Sequence, residues 1–263
     1  SGGLHGVGAS VVNALSEWVV VDVFRDYSHY QQRFESVEDK KTGKILSGHP
    51  VAPLEKIGNT RKRGTQVAFK PDVRVFEEVR FNGDIVRRRV RELAYLNKGV
   101  KFIFIDERER DEDRRRIEYC YEGGLADFVR YLNEEKTTVT EPITFEGKKD
   151  GTLLRVAIQY TDSYTENIYS FVNNVPTGEG GTHETGFKAA VTKAFNDYAR
   201  RAGALKEKDN NLSGEDFREG MTAVVYAGVQ KPQFEGQTKG RLGNTEVRPA
   251  VEAICLEQLS IYL

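Results

Sequence analysis

Four glycines stand within the first eight residues, in the segment Ser1-Gly2-Gly3-Leu4-His5-Gly6-Val7-Gly8. The apolar residues after this segment predict a helix from Ala9 with one apolar face: Val11, Val12, Leu15 and Trp18. A glycine-rich loop that opens into a helix lets an anion approach free backbone amides at the positive end of the helix dipole. The segment therefore predicts either a phosphate-binding loop or a plain flexible turn.

Two common nucleotide-binding loops do not match this segment. A Walker loop needs Lys followed by Ser or Thr after its last glycine, but Ala9-Ser10 follows Gly8. A dinucleotide fingerprint that starts at Gly6 needs Gly or Ala where Val11 stands, and a strand before it. By pattern alone, the choice between phosphate site and turn stays open.

Composition excludes several classes of protein. The 263 residues carry 39 Lys+Arg against 40 Asp+Glu, so a broad basic field of the kind that binds nucleic acid is excluded. No apolar stretch approaches the ~20 residues that span a bilayer, and we expect no membrane association. Cys120 and Cys255 cannot build a disulfide scaffold or a zinc site, and they predict reduced thiols in a cytoplasmic protein.

Strand and helix patterns alternate along the first half of the chain. The predicted helices have apolar faces at Ile85 to Ala94 and at Leu125 to Leu132. The predicted strands are 19–24, 30–35, 64–70, 101–106 and 117–121, and the last two form a hairpin with a highly charged tip.

The pattern changes after Asn133, where a polar linker precedes a new run of strands. These strands are 143–146, 153–160, 167–173 and 221–229, with helices at 183–201 and from Glu246. We expect two α+β domains, residues 1–133 and 134–263, with helices stacked on mainly antiparallel sheets.

Two further segments are candidate sites. Gln237-Thr238-Lys239 stands between Gly236 and Gly240, so it is either a mobile cation for a terminal phosphate or a solvated loop. Glu179-Gly180-Gly181-Thr182-His183 precedes the long helix, where Thr182 is a plausible cap and His183 a structural residue. The sequence shows no catalytic triad and no metal-ligand cluster.

Taken together, the segments resemble one family in order along the whole chain. The opening segment with Val11-Val12-Asn13-Ala14-Leu15-Ser16 is similar to the ATP lid of the B subunits of bacterial DNA gyrase. The other similar motifs are Arg91 to Asn97, Tyr121 to Gly124, Glu166 to Tyr169, Glu179 to His183, Arg218 to Ala223 and Gln237 to Lys239. The topoisomerase IV homologue shares most of these motifs and stays a close alternative.

The resemblance implies a fold and an activity. Residues 1–133 would be the end of a GHKL (Bergerat) ATPase domain, a two-layer α/β sandwich. Residues 134–263 would be the transducer domain, with a βαβ arrangement similar to that of a ribosomal-protein family. The complete enzyme would be an ATP-hydrolysing type II topoisomerase that introduces negative supercoils into DNA. Its partners would be DNA, the A subunit of gyrase, and a second copy of the B subunit.

The resemblance also assigns site residues. The triphosphate of ATP would be bound by Gly2, Gly3, Leu4, His5, Gly6, Val7 and Gly8. Thr65 would lie at the adenine end, and Gln237 and Lys239 would reach the γ-phosphate, where Lys239 stabilises developing charge. The family's general base, its Mg²⁺ ligand and its adenine-binding aspartate would precede residue 1. We therefore expect an internal fragment that is inactive alone.

Two other functions compete with this interpretation. Another GHKL ATPase, such as a mismatch-repair protein, a chaperone or a histidine kinase, would share the lid. The Gln237-Thr238-Lys239 loop argues against chaperones and kinases. A non-enzymatic nucleic-acid-binding module is the third hypothesis, and the balanced charge predicts weak binding for it.

Overall fold

A computed structural model describes residues 6–263, which form two compact units, residues 6–82 and Gly83–Leu263. None of the helices in this described range is long and apolar enough to cross a membrane. The elements of the first unit are helix α1 (Val7–Ala14) and strands β1 (Ser16–Arg25), β2 (Ser28–Glu38), β3 (Ile45–Pro50), β4 (Glu55–Asn59) and β5 (Gly64–Pro71).

The first unit is an antiparallel sheet in the order β3-β2-β1-β5, with β4 also paired to β2. Val19, at 5% exposure, is the single buried apolar side chain between residues 6 and 82. Val67 and Phe69 on β5 are 56% and 40% exposed. Beside them, an open groove of about 310 Å³ is lined mainly by apolar side chains of α1, β5 and the segment after β5. This unit therefore presents an extensive apolar surface.

The predicted helix after the glycine segment is shorter than the sequence indicates, and the assignment of Trp18 to it is wrong. The helix ends at Ala14, and the Ser16 hydroxyl donates to the carbonyl of Val12 at 2.6 Å. β1 then starts at once, and Trp18 pairs with Glu35 and Lys70 on the neighbouring strands. The run of β-branched residues from Val19 favours the strand over a further helical turn.

The second unit carries the remaining elements. Its helices are α2 (Gly83–Leu96), α3 (Glu112–Arg115), α4 (Leu125–Leu132), α5 (Thr182–Arg201), α6 (Gly214–Arg218) and α7 (Val247–Tyr262). Its strands are β6 (Phe102–Ile105), β7 (Arg116–Tyr119), β8 (Ile143–Lys149), β9 (Thr152–Tyr160), β10 (Asn167–Val172), β11 (Val175–Pro176), β12 (Met221–Gly228), β13 (Phe234–Glu235) and β14 (Arg241–Leu242).

The main sheet of this unit has the order β11-β10-β12-β9-β8. β10 and β12 are parallel and are connected through α5, and the other pairs are antiparallel. This is the βαβ arrangement that the resemblance implies. The hairpin of β6 and β7 is also confirmed, and its charged tip contains α3, which the Asp111 side chain caps by accepting from the amide of Asp113 at 3.0 Å.

Helices cover both faces of the main sheet. One core includes Phe187 of α5, Val251 of α7 and Val225 of β12. The other includes Tyr95 of α2, Phe128 of α4 and neighbouring strand residues of the sheet. Because side chains alternate along a strand, residues of β12 reach the two cores in turn.

The compact units do not follow the boundary predicted near Asn133, and the structure differs here for a physical reason. Asn133 is 2% exposed. Its amide donates to the Gln159 side chain of β9 at 3.1 Å, and its carbonyl oxygen accepts from the Thr222 hydroxyl of β12 at 2.7 Å. Buried polar groups need such partners, and these bonds join the end of α4 to the sheet. The assignment of residues 1–133 and 134–263 to two family domains stays a prediction.

Limited trypsin digestion tests where the stable unit begins. The segment after Asp72 is exposed and irregular up to the start of α2, and it contains Arg80. We expect early cleavage at Arg80 and a persistent product that retains α2 and α4, because both helices bury aromatic side chains against the sheet. N-terminal sequencing of the product checks this, and a stable core that starts after the exposed Lys136 would contradict it.

Phe128→Ala should destabilise the Gly83–Leu263 unit by about 3–5 kcal/mol, the usual cost of removing a buried aromatic side chain. Phe128 is 4% exposed and its ring lies 4.8 Å from that of Tyr95 and 6.1 Å from that of Phe171. Urea denaturation measures the change. Tyr164→Ala is the matched control, since Tyr164 is 85% exposed.

Candidate functional site

The start of α1 has the features of an anion site. Gly6 is its N-cap in the left-handed region at φ 60°, no side chain of the described residues caps the helix, and its first turn contains no acidic residue. A Cβ at Gly6 or Gly8 would meet no atom of the described residues within 4 Å, so these residues leave open space beside the first turn. Uncapped amides and the helix dipole favour an anion at this end. Gly2, Gly3, Leu4 and His5 lie outside the described residues.

The structure places Thr65 in the same unit as α1 but at the other end of β1. Thr65 is the second residue of β5 and pairs with Val23, whereas α1 leads into β1 at Ser16. Thr65 is exposed. A role for its hydroxyl toward a nucleotide stays a prediction.

Gln237 and Lys239 lie on the loop of a short hairpin. Strands β13 and β14 pair antiparallel, with Phe234 opposite Leu242, and residues 236–240 connect them. We call residues 236–240 the lysine loop. Gln237 is exposed and Lys239 is partly buried, at φ 57°, with its amide donating to the Gly236 carbonyl at 3.4 Å.

The segment before α5 is bound to this hairpin through its backbone. The amide of Glu179 donates to the carbonyl of Gly240 at 2.9 Å, and the amide of Leu242 donates to the carbonyl of Gly180 at 3.2 Å. Gly181 forms a parallel bridge with Leu242. The two motifs that stand about 60 residues apart in the sequence are therefore one structural unit. The side-chain pattern does not predict this contact, and its one signal in the sequence is the pair of adjacent glycines, Gly180 and Gly181.

The predicted cap of α5 is wrong. Gly181 is the N-cap residue, and Thr182 is already the first helical residue. The Thr182 hydroxyl is buried and has no hydrogen-bond partner among residues 6–263. Thr182 cannot cap the helix because the bridge of Gly181 to Leu242 fixes the position at which the helix starts.

His183 is a buried structural residue, as the sequence predicts. It is fully buried, and its Nε2 lies 3.0 Å from the Thr177 hydroxyl. Burial lowers the pKa of His183 to about 4. The imidazole is therefore neutral near pH 7 and serves the packing of the α5 head.

Polar contacts continue from this head along α5. The Ser170 hydroxyl lies 2.8 Å from that of Thr177 and 3.1 Å from a carboxylate oxygen of Glu184. Lys188 bridges Glu184 and Glu166, at 3.0 and 2.8 Å. Burial alone would raise the pKa of Glu166, but hydrogen bonds from Lys188 and Arg218 outweigh it and hold that pKa below its usual value.

A divalent metal does not fit the described residues. From Gly6 to the end of the chain, no three His, Cys, Asp or Glu side chains are grouped closely enough to hold a metal ion. Mg²⁺ prefers carboxylate oxygens in octahedral geometry, and no such set is present in this range.

The structural comparison identifies the class of protein. The chain is 37% identical to the ATPase domain of Thermus thermophilus gyrase B, a crystal structure in complex with an aminocoumarin, with a TM-score of 0.78. The match covers 98% of this chain and 67% of that one. The fold is thus that of a gyrase-type ATPase domain, which confirms the predicted α+β class.

Sequence comparison then gives the family. The chain is 52% identical to the B subunit of DNA topoisomerase 4 from Bacillus subtilis and 51% identical to the B subunit of DNA gyrase from Clostridium acetobutylicum. Both matches cover all of this chain, which spans 38% and 39% of the length of these relatives. The family profile described as DNA gyrase B matches residues 124–263. The chain belongs to the DNA gyrase B family.

His183→Gln tests the buried imidazole through the pH dependence of stability. The unfolded His has a pKa near 6.5 and the folded one a pKa of about 4, so the unfolded state binds the extra proton first. The contribution of the neutral His183 to the free energy of unfolding is fully present above pH ~6.5. It is lost as the pH drops toward 4, by up to about 3 kcal/mol. Denaturation curves at several pH values should lose this slope in His183→Gln. The exposed His49→Gln is the control and should keep the slope.

Proposed function

We propose that this chain is part of the ATP-hydrolysing B subunit of a type II DNA topoisomerase of the gyrase kind. In the complete protein, ATP binding and hydrolysis would drive DNA strand passage and negative supercoiling. The proposal is supported by family membership together with two features of the chain that suit the binding of a nucleotide phosphate. These are an uncapped helix start after a glycine segment and a lysine on a loop anchored by backbone bonds.

The phosphate groups of ATP are assigned to the start of α1. The binding residues are Gly2, Gly3, Leu4 and His5 before the described range, and Gly6, Val7 and Gly8 within it. The open space beside Gly6 and Gly8 supports a close approach of an anion to the backbone. Thr65 is assigned to the adenine end of the same pocket.

Gln237 and Lys239 are assigned to the γ-phosphate. An ammonium is a compact point charge, and a preorganised one stabilises the charge that develops during phosphoryl transfer. The lysine loop supports this role because its C-terminal end is anchored, through Gly240 and Leu242, while Gln237 is exposed.

Mg²⁺ and the general base are assigned to no residue of the described range. The grouped carboxylates that a magnesium site needs are absent from residues 6–263, and the proposal derives no step through the ion. The domain assignment follows the same family: residues 1–133 as the end of the ATPase domain and residues 134–263 as the transducer.

The proposed partners are DNA, the A subunit of gyrase, and a second copy of the B subunit, in the cytoplasm, where the chromosome is accessible. The B subunit of topoisomerase IV is the second candidate, favoured by the nearly equal identity of the two kinds of relative. An assay of the complete protein with relaxed plasmid and its partner A subunit separates the two. ATP-dependent negative supercoiling indicates gyrase, and decatenation without supercoiling indicates topoisomerase IV. Absence of both activities would contradict the proposal.

Lys239→Ala in the complete subunit should lower kcat for ATP by about 10²–10³-fold, with much less effect on nucleotide affinity. The reason is that the contact is made chiefly in the reacting state. Lys239→Arg should restore activity only in part, because a planar guanidinium does not replace a compact ammonium. The measurements are steady-state ATPase kinetics and equilibrium binding of a non-hydrolysable analogue.

Lys231→Ala is the matched control, since Lys231 is an exposed lysine just before β13. Its kcat should equal that of the unmodified protein. A kcat of Lys239→Ala within a factor of about two of the unmodified value would show that the assigned role is wrong.

A further inference from the structure

One residue before α5, Gly181, approaches the hairpin of the lysine loop more closely than a side chain allows. A Cβ at Gly181 would lie 2.5 Å from the backbone nitrogen and 2.6 Å from the carbonyl oxygen of Leu242. Gly181 also has a φ of 139°, and Gly180 a φ of 74°. Only glycine fits such a conformation without strain and leaves room for the second backbone.

The hairpin needs this support. β13 and β14 are two residues long each, and a two-stranded hairpin is marginally stable by itself. The amide of Glu179 and the carbonyl of Gly180 add two backbone hydrogen bonds on the β14 side, one at the end of the lysine loop and one at Leu242. The guanidinium of Arg241 adds a contact to the Glu179 carbonyl at 3.4 Å.

The support is itself rigid. Gly181 is followed by α5, a helix of 20 residues. Phe187, Ala190 and Val191 of this helix are fully buried in the core. The Thr177 carbonyl fixes the turn by accepting from the Gly180 amide at 2.8 Å.

We propose that residues 179–181 are a positioning platform for the lysine loop, with Gly181 as its positioning residue. The platform fixes the backbone of Gly240 to Leu242, and thereby sets where Lys239 stands. This inference rests on the proposed function, because the platform affects ATP turnover only if Lys239 acts on the γ-phosphate. The proposal also predicts that the platform stabilises the hairpin itself, and this effect can be measured without nucleotide.

The test compares Gly181→Ala with Gly178→Ala in the complete subunit. Gly178 is in the same turn, but it has no positive φ, and a Cβ there meets nothing within 4 Å. Hydrogen exchange, measured by mass spectrometry on peptides covering residues 236–244, reports the hairpin. We expect faster exchange in Gly181→Ala and no change in Gly178→Ala.

Kinetics give the second readout. A displacement of about 1 Å in a reacting group costs up to about 10²-fold in rate, so Gly181→Ala should lower kcat by at least about tenfold. The KM for ATP should stay within about twofold. In a Lys239→Ala background, Gly181→Ala should cause no further loss of kcat, whereas a general structural defect would add its own loss.

Gly180→Ala is the second variant if Gly181→Ala does not fold. Its Cβ would meet only the Glu184 carboxylate, at 3.0 Å, so the remaining cost is that of a left-handed alanine. Unchanged exchange in the variants that fold would overturn the platform, whatever the role of Lys239. Faster exchange with unchanged kcat in Gly181→Ala would overturn the effect of the platform on ATP turnover. If Lys239→Ala had a low kcat in the same experiment, the proposed function would still hold. A normal kcat in Lys239→Ala would overturn both.

Discussion

The second unit depends on a single constraint, the burial of β12 on both of its faces. Residues 221–227 of this strand are buried without interruption. Met221, Ala223, Val225 and Ala227 contribute to the core under α5 and α7, and Val224 and Tyr226 to the core under α2 and α4. A strand buried on both sides has no position for an unpaired polar side chain. The hydroxyl of Thr222, at the end near α4, is accordingly bound to Asn133.

This constraint explains why α2 and α4 belong with the strands that follow them. An aromatic cluster joins the two helices, with the ring of Tyr95 lying 3.7 Å from that of Tyr121 and 4.8 Å from that of Phe128. The Arg91 guanidinium lies 4.8 Å from the ring of Tyr131 and 5.2 Å from that of Tyr119, a cation–π arrangement. Without this layer, one face of the sheet would expose Phe171, Val224 and Tyr226 to water.

The sequence predicts most elements because their patterns are local. Hydrophobic periodicity locates α2 and α4, and β-branched runs locate β1 and β12. The spacing of Trp18 continues that of Leu15 and so indicates a helix, but the pairing of β1 with two neighbours overrides that spacing. Polarity at 134–137 predicts a domain boundary, and that pattern cannot show that Asn133 is buried by partners 26 and 89 residues away.

The candidate site is predictable in its parts but not in its arrangement. Glycines and a lysine mark the start of α1 and the lysine loop in the sequence. The docking of Gly181 against Leu242 uses backbone groups alone, so no side-chain pattern records it. The same reason accounts for Thr182, whose residue type favours a cap but whose position is fixed by the preceding glycine.

The position of α5 has a mechanical consequence. Its 20 residues correspond to about 30 Å of helix, with the hairpin contact at one end and Arg201 at the other. A helix packed along its length moves as a stiff rod, so a rotation of a few degrees at one end displaces the other by about 2 Å over that length. Arg200, near the far end, holds the backbone of Lys206 and Asp209 at 2.9 and 2.8 Å. A tilt of α5 about Gly181 would therefore displace most the end of the helix that holds this surface loop.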